Sequence, residues 1–228
     1  MVERTHAPVR VTRPFVVAHG SGNSLARLNW ARRLGVTAVE ADIRLYRGRL
    51  EVRHMKTVGP VPLLWDRWKI ASPFARRLLA DELLAAVPRG THLLLDLKGR
   101  NPRLSTLLVE VLEPHARASG FEITLCARTW ALLEPFADVP GVRLVASVGS
   151  ARQLRCLSAR RVPKLDGISI HERLLDVRTA RELTGMAGVI FTWPVNTVER
   201  AQELIACGVE GLISDRPELV HPVTAADG

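Results

Sequence analysis

Val36-Thr37-Ala38-Val39-Glu40-Ala41-Asp42 sets a β-branched, apolar run directly before two carboxylates one residue apart. Successive side chains of an extended strand point to opposite faces, so Glu40 and Asp42 project from the same side at the end of a strand predicted over Ala38–Asp42. Runs of the same kind recur on either side, at Phe15–His19, His92–Leu97, Ile123–Ala127, Arg143–Ser147, Gly167–Ile170, Val189–Trp193 and Gly211–Ser214. Between them lie longer stretches with apolar residues at helical spacing: Ser24–Leu34, Arg103–Ser119, Trp130–Phe136, Ala151–Leu157, Val177–Thr184 and Val198–Cys207. Alternation of this type is the signature of βα units on a parallel sheet.

Eight such strands predict closure into a (β/α)8 TIM barrel, and 228 residues is close to the roughly 250 typical of one such domain. Gly35, Gly120 and Gly208 stand where helices end on glycine. The stretch from Ile43 to Phe74 departs from the pattern. Tyr46-Arg47-Gly48-Arg49 has the composition of a hairpin turn, and Pro60, Pro62, Trp65, Trp68 and Pro73 follow without clear periodicity. This predicts an insertion after strand 2, on the catalytic face. The expected domain runs over 14–220, with 1–13 and 221–228 as tails.

The composition is that of an ordinary globular protein, with 47% hydrophobic and 24% charged residues, and no apolar run approaches the roughly 20 residues that span a bilayer. The first residues lack the apolar stretch of a secretory signal, and Cys126, Cys156 and Cys207 are odd in number and lack a C-x-x-C spacing. A cytoplasmic location with reduced thiols is expected. The net charge of +9 favours anionic partners; only Lys56, Lys69, Lys98 and Lys164 of the 32 basic residues are lysines. The arginines are spread out, with few aromatic residues among them and no recognised nucleic-acid-binding signature, so nucleic acid is not the expected partner.

In a barrel the C-terminal ends of the strands converge on one face. His19 ends strand 1, Glu40 and Asp42 end strand 2, His54 follows the hairpin, and Asp96 and Lys98 end strand 3. Two carboxylates pointing the same way need a cation to offset their repulsion, and Asp96 on the adjacent strand would complete a three-carboxylate site. All-oxygen donors favour one hard divalent cation, Mg²⁺ or Ca²⁺. His19 and His54, delivered to the same mouth, permit one to act as general base and the other as general acid on a phosphodiester, with Lys98 adding positive charge for phosphate oxygens. His6, His92, His115 and His221 are read as ordinary polar residues.

In order along the chain, His19-Gly20, Asn23-Ser24-Leu25, Glu40-Ala41-Asp42, His54-Met55, Asp96-Leu97-Lys98, Trp193-Pro194-Val195-Asn196 and Gly208-Val209-Glu210-Gly211-Leu212-Ile213-Ser214-Asp215-Arg216-Pro217 resemble the motifs of the glycerophosphodiester phosphodiesterase family. The similarity covers about Phe15 to Val220. It implies metal binding by Glu40, Asp42 and Asp96, acid–base catalysis by His19 and His54, phosphate contact by Lys98, and a pocket lined by Trp193. The substrate would be a small anionic phosphodiester, split into glycerol 3-phosphate and an alcohol. Three departures stand out: the arginine usual after the first histidine is missing from a shortened loop, Gly22 stands where glutamate is usual, and Met55 replaces an aspartate. Arg44 and Arg128, near the ends of strands 2 and 4, are candidates to replace the lost cation.

Asp96-Leu97-Lys98 also resembles the spider-toxin phospholipases D, which makes a lysolipid headgroup the rival substrate. In that case the Trp- and Pro-containing insertion would make transient contact with a membrane surface. A catalytically inactive barrel that binds phosphodiesters or a partner is the third reading.

Overall fold

The computed structural model describes residues 14–58, 61–66, 69–71, 76–118, 122–159 and 165–225. The chain begins with β1 (Phe15–Ala18), α1 (Leu25–Arg33), β2 (Ala38–Tyr46) and β3 (Arg49–Val52). Next come β4 (Lys56–Val58), β5 (Val61–Asp66), β6 (Lys69–Ala71), β7 (Leu78–Leu79) and α2 (Ala80–Ala86). The remainder alternates: β8 (His92–Lys98), α3 (Arg103–Ala118), β9 (Glu122–Ala127), β10 (Val142–Val148), α4 (Ala151–Ala159), β11 (Gly167–His171), α5 (Val177–Thr184), β12 (Val189–Trp193), α6 (Val198–Ala206), β13 (Gly211–Ser214) and α7 (Pro217–Ala225).

Strands β1, β2 and β8 to β13 pair in parallel in that order, and β13 returns to β1, closing the (β/α)8 TIM barrel. Every strand expected from the sequence is present. Short strands buried on both faces, such as Val16-Val17-Ala18 and Leu93-Leu94-Leu95, have nowhere to lie except between an interior and a helical layer. The helices begin where polar caps stand: Ser24 accepts a hydrogen bond from the amide of Arg27, Asp176 from that of Thr179, and Thr197 from that of Arg200.

The insertion has more order than its sequence predicts. Arg47 (φ 48°) and Gly48 (φ 79°) turn β2 into β3, the two positive φ values that a two-residue hairpin requires. Beyond it, β4, β5 and β6 form a separate antiparallel sheet. Trp68, Pro60 and Pro73 lie outside the described residues, as does Gly120.

Two expectations are corrected. Trp130–Phe136 forms not a helix but two 3-10 turns, Trp130–Leu132 and Glu134–Phe136, because Pro135 has no N–H with which to continue a helical ladder. Residues 221–225 are not a tail: α7 continues to Ala225, with Val220 buried and Val223 packed against the same apolar cluster. Met1 to Arg13 lie outside the described residues.

The barrel floor is aromatic. Phe15 lies 5.2 Å from the ring of His92 and 5.8 Å from that of Phe191. Gly211 makes room there, since a Cβ at that position would fall 2.2 Å from Phe191 Cδ1. His92 bonds Thr124 Oγ1 through Nε2 at 2.7 Å, and burial, aided by the charge of Arg143, depresses its pKa to about 4. The unfolded chain therefore binds this proton more readily than the folded one. The stabilisation from a neutral His92 is complete above the ordinary value near 6.5 and is lost as the pH falls toward 4. Over that window wild-type protein should lose roughly 3 kcal/mol more than His92→Gln. Denaturant unfolding at pH 7 and pH 4.5 measures this, and parallel losses in the two proteins would refute it.

Candidate active site

Inward-facing residues at the C-terminal ends of the strands build the site. After β1 the chain turns sharply at Gly20, whose left-handed φ of 59° suits glycine. The Gly20 amide donates to Glu40 Oε2 at 2.6 Å. Asn23 clamps the next carboxylate: its Nδ2 donates to Asp42 Oδ2 at 2.6 Å, and its Oδ1 accepts from the Asp42 amide at 2.8 Å. The short loop is thereby laid directly on β2.

That contact explains the departure at Gly22. A Cβ there would sit 2.6 Å from Ala41 Cβ and 3.1 Å from the Glu40 carbonyl oxygen, so neither glutamate nor any other side chain fits. Gly22→Ala should cost about 1–3 kcal/mol of stability and lower activity by displacing both clamps. A variant with unaltered melting temperature and activity would show that the loop is not seated on β2.

Glu40, Asp42 and Asp96 meet in the mouth, with one ligand atom from each lying within 4.8 Å of the others. Lys98 stands between two of them, 2.9 Å from Asp42 Oδ1 and in direct contact with Asp96 Oδ2. Burial and the neighbouring Asp42 push the Glu40 carboxyl up to about 8. Burial also raises Asp96, whereas for Asp42 the effect of burial is overcome by Lys98 and Asn23, which lower its pKa. Lys98 itself is held charged, the carboxylates outweighing its burial. Asp96 Oδ1 is buried and accepts no hydrogen bond, and buried Asp42 Oδ1 has the Lys98 ammonium beside it. Three carboxyl groups gathered around one ammonium, with Asp96 Oδ1 left without a hydrogen bond, form an all-oxygen donor set that a divalent cation would fit.

His19 faces this group, its Nε2 3.9 Å from Glu40 Oε2. On its other side Nδ1 is bonded to Asp215 Oδ1 at 2.6 Å. Burial opposes a charge on His19, but the bond to Asp215 and the field of Glu40 prevail and raise its pKa to about 9. Asp215 falls to about 2, chiefly through the same bond. Asn196 in turn holds Asp215, donating to Oδ2 at 3.3 Å and accepting from the Asp215 amide at 2.9 Å. Asp215, Asn196 and Asn23 were visible as motif residues, but their orienting parts emerge only from the closed ring.

His54 lies on the exposed loop after β3, close enough for its charge to lower Asp42. The loop is fastened at its root: the Arg53 amide donates to the Asp42 carbonyl at 2.8 Å, and buried Arg53 pairs with buried Glu51 at 2.5 Å. Trp193 stands across the mouth, its ring 4.6 Å from that of His171 and 5.0 Å from the Arg128 guanidinium carbon. The structure thus gathers Glu40, Asp42, Asp96, Lys98 and His19 into one cluster, with His54 and Trp193 at its rim.

No family model matches the chain, and no curated protein matches it either. Solved structures do match. An Oleispira antarctica phosphodiesterase in complex with the product sn-glycerol-3-phosphate superposes with a TM-score of 0.74 at 18% identity, covering 95% of this chain and 98% of that one. A glycerophosphodiester phosphodiesterase from Parabacteroides distasonis gives 0.73 at 16% identity, with 94% and 98% covered. One from Thermotoga maritima gives 0.69 at 17% identity, with 90% and 96% covered. Along nearly its whole length, then, the chain carries the barrel fold of solved glycerophosphodiester phosphodiesterases.

Proposed function

We propose that this protein belongs to the glycerophosphodiester phosphodiesterase family and hydrolyses glycerophosphodiesters to glycerol 3-phosphate and an alcohol, using one Mg²⁺ or Ca²⁺ ion. The reading rests on the clustered Glu40, Asp42 and Asp96, with Asp96 Oδ1 lacking a hydrogen bond, facing a histidine that a carboxylate orients. Those three side chains would hold the ion, which when bound draws negative charge from the phosphate oxygens. The bond between phosphorus and the alcohol oxygen breaks as water attacks, or as a neighbouring substrate hydroxyl attacks to give a cyclic phosphate that water then opens to glycerol 3-phosphate. One of His19 and His54 takes the nucleophile's proton while the other protonates the departing alcohol. Asp215 fixes the ring of His19 and stabilises its cationic form.

The domain is the barrel over 14–220, extended by α7 to Ala225. Among the described residues no helix is long and apolar enough to cross a membrane. Glycerol 3-phosphate release from glycerophosphocholine, with and without chelator and added Mg²⁺ or Ca²⁺, tests the proposal. Chelator-sensitive release is expected; its absence across several glycerophosphodiesters would favour the inactive binding barrel.

One observation favours the lysolipid alternative. Trp65 on β5 is 46% exposed and pairs across the small sheet with Lys56, an aromatic and a cation suited to an anionic lipid surface. Binding to phosphatidylglycerol vesicles, together with cleavage of lysophosphatidylcholine but not of glycerophosphocholine, would select it.

A further inference from the structure

The loop after His19 has no arginine, and the other cations of the mouth are committed elsewhere. Lys98 is held by Asp42 and Asp96, Arg44 Nε donates to the His54 carbonyl at 3.2 Å, and Arg27 reaches the His19 carbonyl from outside the ring. Arg128 is placed differently. It follows β9 in the same inward alternation as Thr124 and Cys126, and Cys126 pairs in register with Asp96, so Arg128 leaves the strand on the side of the barrel that carries the carboxylates.

Its guanidinium rests over the Trp193 ring and forms no ion pair with a described carboxylate, though its charge reaches Asp96. The space it occupies is reserved by a glycine: a Cβ on Gly149 would lie 3.2 Å from both Cζ and Nη2 of Arg128. Its main chain is fixed as well. Gln153 Nε2 donates to the Arg128 carbonyl at 3.3 Å, while Gln153 Oε1 accepts from the Gly149 amide at 2.9 Å.

We infer that Arg128, braced on Trp193 and admitted by Gly149, is the cation that grips the substrate phosphate in this chain, in place of the arginine absent after His19. A planar fork held on an aromatic face is pre-organised to offer two parallel N–H donors to phosphate oxygens. The inference rests on the proposed function in taking the ligand to be a phosphodiester. Trp193 serves as the platform of the phosphate contact, with its ring already covered by Arg128 and His171.

Calorimetric titration of Mg²⁺-loaded protein with sn-glycerol 3-phosphate and, separately, with inorganic phosphate tests the assignment. Arg128→Gln should weaken both about tenfold to a hundredfold, the scale of losing hydrogen bonds to a charged group. Arg128→Lys should recover only part, because a point charge cannot reproduce the fork. The side chain is exposed, so melting temperatures should stay the same. Wild-type protein that binds no phosphate, or an Arg128→Gln protein that binds it as wild type does, overturns the inference. If wild type releases no glycerol 3-phosphate from any glycerophosphodiester, the functional reading fails, and the inorganic phosphate titration still decides the role of Arg128.

Discussion

His19→Ala and His54→Ala should each lower turnover of glycerophosphocholine about 10²-fold or more while the protein stays folded. His19 is half-exposed at a strand end and His54 is exposed on a loop, so neither truncation opens a hole in the core. The two losses should not multiply. In the proposed reaction both histidines serve one proton-transfer cycle, so that once either is gone the other has no complementary step to support. Initial rates of the single and double variants under saturating metal measure this. Near-normal rates in both single variants would remove the acid–base assignment, and strict multiplication would show that the two act on separate events.

Glu40→Gln should weaken binding of Mg²⁺ or Ca²⁺ by about tenfold or more, since an anionic oxygen ligand becomes a neutral one. Activity at fixed metal should fall with it. This substitution is more informative than one at Asp42. Glutamine keeps an oxygen for the Gly20 amide, whereas asparagine at 42 would also weaken the ion pair with Lys98 and so disturb more than the metal site. Calorimetric metal titration and rates measured across metal concentration should shift together. If the metal dependence of the variant matched that of wild type, the three-carboxylate site would have to be abandoned.

The barrel was legible because its strands are apolar on both faces and separated by stretches of helical period. Their registers then brought Glu40, Asp42, Asp96 and Lys98 together, since β2 and β8 are neighbours with Asp42 opposite Asp96. Less legible was whatever depends on a proline or on a distant segment. Pro135 sits within apolar spacing that reads as a helix, yet the missing N–H leaves only 3-10 turns. The small sheet of β4 to β6 is short, so its sequence displays no sustained alternation. Lys98, expected to contact phosphate, is in the structure bound to Asp42 and Asp96, a pairing that only the neighbouring registers of β2 and β8 bring about. Asp215 carried no sign of its bond to His19, because nothing local to Ser214-Asp215-Arg216 says what lies across the ring.

That bond joins residues 196 apart in sequence, one just past the first strand and one just past the last, where β1 and β13 pair. During synthesis, therefore, His19 emerges early and stays without its orienting partner until almost the entire barrel has left the ribosome. Closure of so long a loop is among the slowest events in assembling a sheet of this topology. The His19–Asp215 pair arrives with the final strand rather than forming as the chain grows, and a chain interrupted before β13 leaves His19 without its orienting carboxylate.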